Sequence, residues 1–304
     1  MRKPKVFFTE RESFGTLDIA KAEKGGMYDA KWKNNEKRGK VKKVILVVCA
    51  VLIALSIAQL LILGIRGGIG PLGFIYENKI AKLPGNAQEY DSSSVEPLED
   101  SPLKGKTILF LGSSVTDGTG SLHTAMPEYF AQRTGCTVIK EAVKGTTLVD
   151  NGRLSYVQRL KENVDPAAKV DLVICQLSTN DASTNKPLGE IAEGTSGFDT
   201  KTITGAMEEI IAYSKATWDC PVFFYTGSYY DSGNYAAMVE RLFEVADKWG
   251  ISVLDLWHDE EFNSISEEQR ALYMKDDIHP TKAGYRDWWC PELEKQLFEF
   301  LQEN

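Results

Sequence analysis

The chain has 304 residues and a net charge of −8 at pH 7, a length that fits one or two domains with room for a sizeable core. The charge is uneven: residues 1–43 hold 13 Lys/Arg against 6 Asp/Glu, whereas residues 44–304 hold 22 against 37. The acidic larger part excludes nucleic acid as a partner, because phosphate binding needs a basic footprint.

In chain order, the basic segment 1–43 mixes charges with Gly and Asn, lacks strong apolar periodicity and is expected to be a flexible tail. Residues 44–65, VILVVCAVLIALSIAQLLILGI, carry no charge. As a helix, 22 residues reach roughly 33 Å, enough for a bilayer core of about 30 Å, so one transmembrane helix is predicted. The stretch is longer and later than a cleaved signal peptide, which argues for an uncleaved signal anchor. Basic flanks stay in the cytoplasm, so a single-pass protein with a cytoplasmic N-terminus and an extracellular main part is expected. Residues 66–105, with Gly67, Gly68, Gly70, Pro71, Pro84, Gly85, Ser92–Ser94, Pro97 and Pro102, have the composition of a stalk or linker. Within it, Leu72–Leu83 is apolar enough to pack on a domain or lie at a membrane surface.

From residue 106 to 304 strand-like and helix-like segments alternate. Strands are predicted at 106–112, 137–142, 170–177, 221–227 and 252–257, and helices near 122–134, 154–164, 202–217, 234–249 and 282–302. Such alternation predicts an α/β fold, a three-layer α/β/α sandwich around a five-stranded parallel sheet. Cys136, Cys175, Cys220 and Cys290 fall in this part; an outside location permits disulfides, and four cysteines allow three pairings. The absence of a Cys-x-x-Cys pair argues against a redox or zinc-ribbon site.

Ligands of an open parallel sheet bind beyond the carboxyl ends of the strands. Three polar clusters fall there: Gly112-Ser113-Ser114, Ser178-Thr179-Asn180-Asp181, and Asp276-Asp277-Ile278-His279-Pro280. Taken alone, the paired serines read as helix caps, and Asn180-Asp181 as a turn pair. Together the clusters suit acyl transfer. A serine hydroxyl needs a base to remove its proton, a histidine needs a carboxylate to hold its other ring nitrogen, and the oxyanion needs preorganised donors. Asp276 stands three residues before His279, within reach of its ring. No Gly-x-Ser-x-Gly elbow occurs at Ser114. His123 and His258 lack comparable support and are read as structural or exposed. His258-Asp259-Glu260-Glu261 lacks the spacing of a zinc helix, so no metal site is predicted. Tyr229, Tyr230 and Tyr235 follow the fourth strand, where they suit either sugar stacking or packing.

With these residues in view, residues 106–302 resemble the GDSL-type, or SGNH, hydrolases. FLGSSVTDG (110–118) is similar to the first motif block and implies Ser114 as nucleophile; AVKGTTL (142–148) is similar to the second and implies the Gly145 N–H as an oxyanion donor. QLSTNDA (176–182) resembles the third and implies Asn180 as the side-chain donor, and DDIHPTKAGY (276–285) resembles the last, with Asp276 and His279. Ser113 stands where the family usually has Asp, and Ser178 where it usually has Gly. The resemblance implies a flavodoxin-like strand order 2-1-3-4-5 and a cofactor-free esterase with a Ser114–His279–Asp276 triad and an oxyanion hole of Ser114, Gly145 and Asn180. The expected substrate is a small acyl ester or acylated carbohydrate, with O-acetyl groups on envelope or extracellular polysaccharide favoured. Rival readings are an O-acyltransferase using the same site and a catalytically silent, membrane-anchored binding module.

Overall fold

In the computed structural model, residues 15–68, 70–152 and 154–303 are described, and the chain divides into two units between Tyr76 and Glu77. In the first unit a single helix, α1, runs from Gly15 to Gly67. Its stretch Trp32–Ile65 is long and apolar enough to cross a membrane, and none of its most apolar window is buried. The helix therefore extends beyond the apolar residues 44–65 into the basic segment, where a flexible tail was expected; residues 1–14 of that tail lie outside the described residues. Lys, Arg, Glu and Ala are good helix formers, and Glu36 and Lys40 pair at 2.8 Å one turn apart. Gly68, at φ 59°, follows the helix end with the left-handed geometry that glycine tolerates. A short helix, α2 (Phe74–Ile80), spans the division between the units.

The second unit contains β1 (Thr107–Gly112), α3 (Ser114–Asp117), α4 (Met126–Thr134), β2 (Thr137–Ala142), α5 (Tyr156–Asn163), β3 (Leu172–Gln176) and α6 (Thr179–Ser183). It continues with α7 (Ile203–Trp218), β4 (Val222–Tyr225), α8 (Gly233–Trp249), β5 (Ser252–Leu254), α9 (Glu260–Asn263) and α10 (Glu267–Tyr273). The last elements are α11 (Lys282–Gly284) and α12 (Cys290–Glu303), joined by a π-helical turn at Tyr285–Trp289. The five strands form one parallel sheet in the order β2-β1-β3-β4-β5.

Side chains alternate across the sheet, as strand geometry requires. Leu109, Leu111, Val173, Cys175, Val222 and Phe224 face one core, shared with α5, α7 and α8. Ile108, Phe110, Leu172, Ile174, Phe223 and Tyr225 face the other, shared with α4 and α12. The predicted three layers are thus observed. Cys136 and Cys290 sit in one core and Cys175 and Cys220 in the other, all four as free thiols. Burial pushes the Cys220 thiol up to about 11.

The stalk reading does not hold from Glu77 onward, because this segment belongs to the second unit. Its Pro, Gly and Ser residues build three 3-10 turns, Pro84–Asn86, Gln88–Tyr90 and Ser92–Ser94. Tight turns and linkers favour the same residues, so composition alone does not separate them. Ile80 and Asn86 are buried, and Asp91 pairs with Lys282 Nζ at 2.6 Å.

Since β1 lies between β2 and β3, the chain leaves β1 towards one edge and returns past it to the other side. That reversal opens a crevice at the carboxyl ends of β1 and β3.

Candidate active site

At the end of β1 the chain turns through Ser113 directly into α3, which makes Ser114 the first residue of a helix. Ser113 occupies the N-cap position, yet its side chain makes no capping bond. The cap reading of the two serines is therefore not what the turn uses. Ser113 is fully buried with its hydroxyl 3.5 Å from Gln176 Oε1. Ser114 Oγ points elsewhere and lies 2.8 Å from His279 Nε2.

His279 sits on a turn closed by a bridge between Met274 and Pro280. Asp276 receives the backbone N–H of Ile278 at 3.0 Å and of His279 at 2.8 Å, both on Oδ1. His279 Nδ1 lies 2.8 Å from Oδ1 and 3.0 Å from Oδ2 of the same carboxylate. An ionised carboxylate only accepts, so Nδ1 carries the proton and Nε2 is left to accept from the Ser114 hydroxyl. Burial works against ionisation of Asp276, but the hydrogen bond from His279 and the nearby Lys275 ammonium outweigh it and hold the carboxyl far below the usual carboxylate range. Asp277 is exposed and takes part in none of these bonds.

The two other predicted positions lie on the facing loops. Gly145 has φ 77°, a conformation that suits glycine, and a Cβ there would meet only open space. Asn180, the second residue of α6, donates one amide hydrogen to the carbonyl of Thr146 at 2.9 Å, which ties it to the loop of Gly145 and leaves its second hydrogen. The N–H of Ser114, at the start of α3, is of the kind that no intrahelical carbonyl can take. The structure thus joins Ser114, His279 and Asp276 in one chain of contacts, and Gly145 and Asn180 on one pair of linked loops.

Two residues that sequence reasoning did not single out, Arg159 and Gln176, hold these parts together with Asp181, which in the sequence reads only as half of a turn pair. Arg159, 1% exposed on α5, donates to the Gly112 carbonyl at 2.7 Å, to Thr146 Oγ1 at 3.2 Å and to both the carbonyl and the carboxylate of Glu141 at 2.9 Å. One guanidinium therefore links the turn before Ser114 to the Gly145 loop. Gln176 Oε1 accepts the N–H groups of Ser113 at 2.9 Å and Thr116 at 3.2 Å, so the end of β3 braces the turn at the end of β1. Asp181 accepts from Leu148 N at 2.8 Å and Val149 N at 3.1 Å; its burial raises it above the usual carboxylate range, against those bonds. The legible signals were a glutamine inside an apolar strand and an arginine on a buried helix face.

Val115, Thr179 and Ile278, the sequence neighbours of Ser114, Asn180 and His279, line a narrow cleft with room for about one water molecule. Of the three tyrosines after β4, Tyr235 is fully buried and accepts the Gly227 N–H at 2.9 Å. Tyr229 is 52% exposed and leans on Trp257, with ring centroids 4.9 Å apart. Only Tyr229 offers a broad face to solvent. His123 is exposed and pairs with Asp117 at 3.1 Å, and His258 pairs with Asp255 at 2.8 Å. Among the described residues no group of three or more His, Cys, Asp or Glu is placed to hold a metal ion.

The model of the GDSL-like lipase/acylhydrolase family matches residues 110–286, more than half of the chain, and the chain belongs to that family. This places it among the ester hydrolases. In sequence, no curated protein matches it. Among solved structures, it is similar to a protein from Lactobacillus plantarum at 19% identity and a TM-score of 0.55, over 66% of this chain and 98% of that one. It is also similar to a protein of the G-D-S-L lipolytic family from Desulfitobacterium hafniense (18% identity, TM-score 0.49, 63% and 99% of the two chains). A third, an active-site mutant of a family two carbohydrate esterase from Clostridium thermocellum, aligns at 17% identity and a TM-score of 0.47 over 68% of this chain and 65% of that one.

Proposed function

We propose that the protein is a serine esterase that removes short acyl groups, above all O-acetyl groups, from carbohydrate outside the membrane to which α1 anchors it. The observation that carries the reading is the contact chain from Ser114 Oγ through the His279 ring to Asp276, with both links at 2.8 Å. Ser114 Oγ attacks the acyl carbonyl while its proton passes to His279 Nε2, and the imidazolium is stabilised by Asp276. The oxyanion faces the N–H groups of Ser114 and Gly145 and the free amide hydrogen of Asn180. His279 then gives its proton to the leaving alkoxide, and an acyl-enzyme forms. A water deprotonated by the same nitrogen attacks it, which releases the acid and restores the Ser114 hydroxyl.

The narrowness of the cleft lined by the neighbours of Ser114, Asn180 and His279 supports a short acyl group. Gln176 Nε2, Ser228 Oγ and Trp289 Nε1, all from its lining, are buried with no partner among the described residues. The Gln176 amide cannot reverse, because two backbone N–H groups already point at its oxygen. A cleft this narrow, with three unpaired polar groups in its lining, offers no seat for a long alkyl chain. Tyr229, exposed against Trp257, suits the face of a sugar, and the basic segment 1–43 supports an outward-facing catalytic unit.

The test is a fluorophosphonate that modifies activated serines, applied with a chromogenic acetyl ester as substrate. Label on Ser114 is expected, with loss of label and turnover in Ser114→Ala and a much milder effect in Ser113→Ala, whose hydroxyl is turned into the core. Absence of label from the wild-type protein would overturn the reading. A sugar acceptor added to the same assay separates hydrolysis from acyl transfer.

A further inference from the structure

The turn that carries His279 is held from behind by a part of the chain that lies before the family match of 110–286. In the 3-10 turn Pro84–Asn86, the backbone of Gly85 lies so close that a Cβ there would stand 2.0 Å from the Leu272 carbonyl oxygen and 2.4 Å from Thr281 Oγ1. The next residue, Asn86, is 5% exposed and has three hydrogen bonds. Its amide nitrogen donates to the carbonyls of Ile80 and Gly120, each at 2.9 Å. Its oxygen accepts the N–H of Lys282, also at 2.9 Å. The Lys282 N–H fixes which end of the amide is oxygen, so both amide hydrogens are committed to the two carbonyls.

The two sides that Asn86 joins are the two sides of the site. Gly120 lies on the loop that leaves α3, where the N–H groups of Gly118 and Thr119 bond back to the Ser114 carbonyl at 3.0 and 2.9 Å. Lys282 opens α11, three residues after His279. Gly120 itself presses on the histidine: a Cβ at this position would lie 3.0 Å from His279 Cβ and 2.5 Å from the Pro280 carbonyl oxygen. The Ser114 loop and the His279 turn therefore touch through a glycine, and one buried amide clamps them at that contact.

We infer that Asn86 is a positioning residue that sets the Ser114–His279 separation by bridging Gly120 to Lys282, an inference that rests on the serine esterase reading. Its side chain reaches no reacting atom. It acts by denying the two loops a relative shift, and a displacement of about 1 Å in such a pair can cost on the order of 10²-fold in rate.

The experiment uses the full chain and compares the rate of Ser114 labelling, kcat and KM in Asn86→Asp, Gly120→Ala and Asp91→Asn, each normalised to its folded fraction by near-UV circular dichroism. Asn86→Asp keeps the acceptor for Lys282 but sets a carboxylate oxygen against the Gly120 and Ile80 carbonyls. Gly120→Ala leaves Asn86 intact and wedges the same contact with one methyl. Asp91→Asn weakens the ion pair to Lys282 Nζ without touching the Gly120 contact, and serves as the control for general loosening. Labelling and kcat are expected to fall at least about tenfold in the first two, with KM within about twofold, and to stay within about twofold in the third. Wild-type labelling in folded Asn86→Asp or Gly120→Ala overturns the inference, as does an equal loss in Asp91→Asn. If Asn86→Asp fails to fold, Asn86→Ser, which removes the bridge without setting a charge against the carbonyls, decides by the same readouts; if neither Asn86 variant folds, the segment serves stability and the inference fails. Absence of label from the wild-type protein would instead refute the esterase reading on which it stands.

Discussion

Asp276→Asn tests the charge relationship in the site, and the local geometry sets the size of its effect. In serine proteases, replacing the triad aspartate by asparagine inverts the histidine tautomer and lowers kcat by about 10⁴. Here the backbone bonds fix which end of the amide is oxygen. Oδ1 of Asp276 already accepts two backbone N–H groups, at 3.0 and 2.8 Å, and the same oxygen is the one 2.8 Å from His279 Nδ1. An asparagine that keeps those backbone bonds keeps an oxygen 2.8 Å from Nδ1, which holds the productive tautomer, while its nitrogen takes the place of Oδ2, 3.0 Å from the same ring atom and 2.8 Å from Lys275 Nζ. What it loses is the negative charge beside the imidazolium. A hydrogen bond to a charged group is worth about 1.5–3 kcal/mol, and at about 1.36 kcal/mol per tenfold this corresponds to a loss of roughly 10- to 150-fold in kcat. The 41% exposure of the Asp276 side chain places the result at the lower end. The assay is steady-state hydrolysis of a chromogenic acetyl ester at pH 7, with Asp277→Asn as the control one residue out of register. A fall of 10⁴ would show that the amide turns its nitrogen to the ring and would refute the orientation argument. An unchanged rate would remove Asp276 from the mechanism.

Three further outcomes follow from the same geometry. Asn180→Ala removes one oxyanion donor and is expected to lower kcat by about 10²–10³ while KM changes little, measured on the same ester. Arg159→Met strands the Glu141 carboxylate and the Gly112 carbonyl that the guanidinium now satisfies, and is expected to cost about 3–5 kcal/mol in urea unfolding; a loss under about 1 kcal/mol would show that water replaces it there. Protease added to intact cells is expected to digest the second unit and spare the basic N-terminal segment, as the charge distribution requires; protection of the second unit would reverse the orientation.

Ser114, Gly145 and Asn180 stand just past the ends of β1, β2 and β3, whereas Asp276 and His279 follow α10 on a turn of their own. Each of these candidate residues needs only a local turn to take up its place, so their spacing is readable. Strand limits were less so. The predicted β4 and β5 run past the observed ends at Tyr225 and Leu254, because Thr226 Oγ1 donates to Asp255 at 2.9 Å and accepts the N–H groups of Leu256 and Trp257. A side chain there takes over the bonding that a ladder would supply. Likewise α4 starts at Met126 instead of near 122, since Leu122 and His123 adopt positive φ of 56° and 63° and cannot continue a helix backwards. The predicted final helix is interrupted at Tyr285–Trp289, where Tyr285, Trp288 and Trp289 are packed into the core. Helical periodicity places such side chains on one face but does not register the extra residue of a π turn.

What composition misjudged most is the segment before β1, and the reason bears on where the catalytic unit begins. Asn86 meets its partners 34 and 196 residues away, so nothing near it in sequence marks it as part of the site, while Pro84, Gly85 and Ser92–Ser94 give the stretch the look of a spacer. A spacer would leave its polar side chains in water. Instead Asn86 is buried with both amide hydrogens and its oxygen engaged, and a buried polar group is tolerated only where its partners are held in place. The cost of leaving Gly120, Ile80 and Lys282 unpaired falls on the loops beside Ser114 and His279. The same holds for Arg159 on the opposite side, which ties Gly112 to Thr146. Ser114 and His279 therefore stand between two buried clamps, one from α5 and one from the segment after α2. By this logic the unit required for chemistry starts near Glu77, about thirty residues before the first strand.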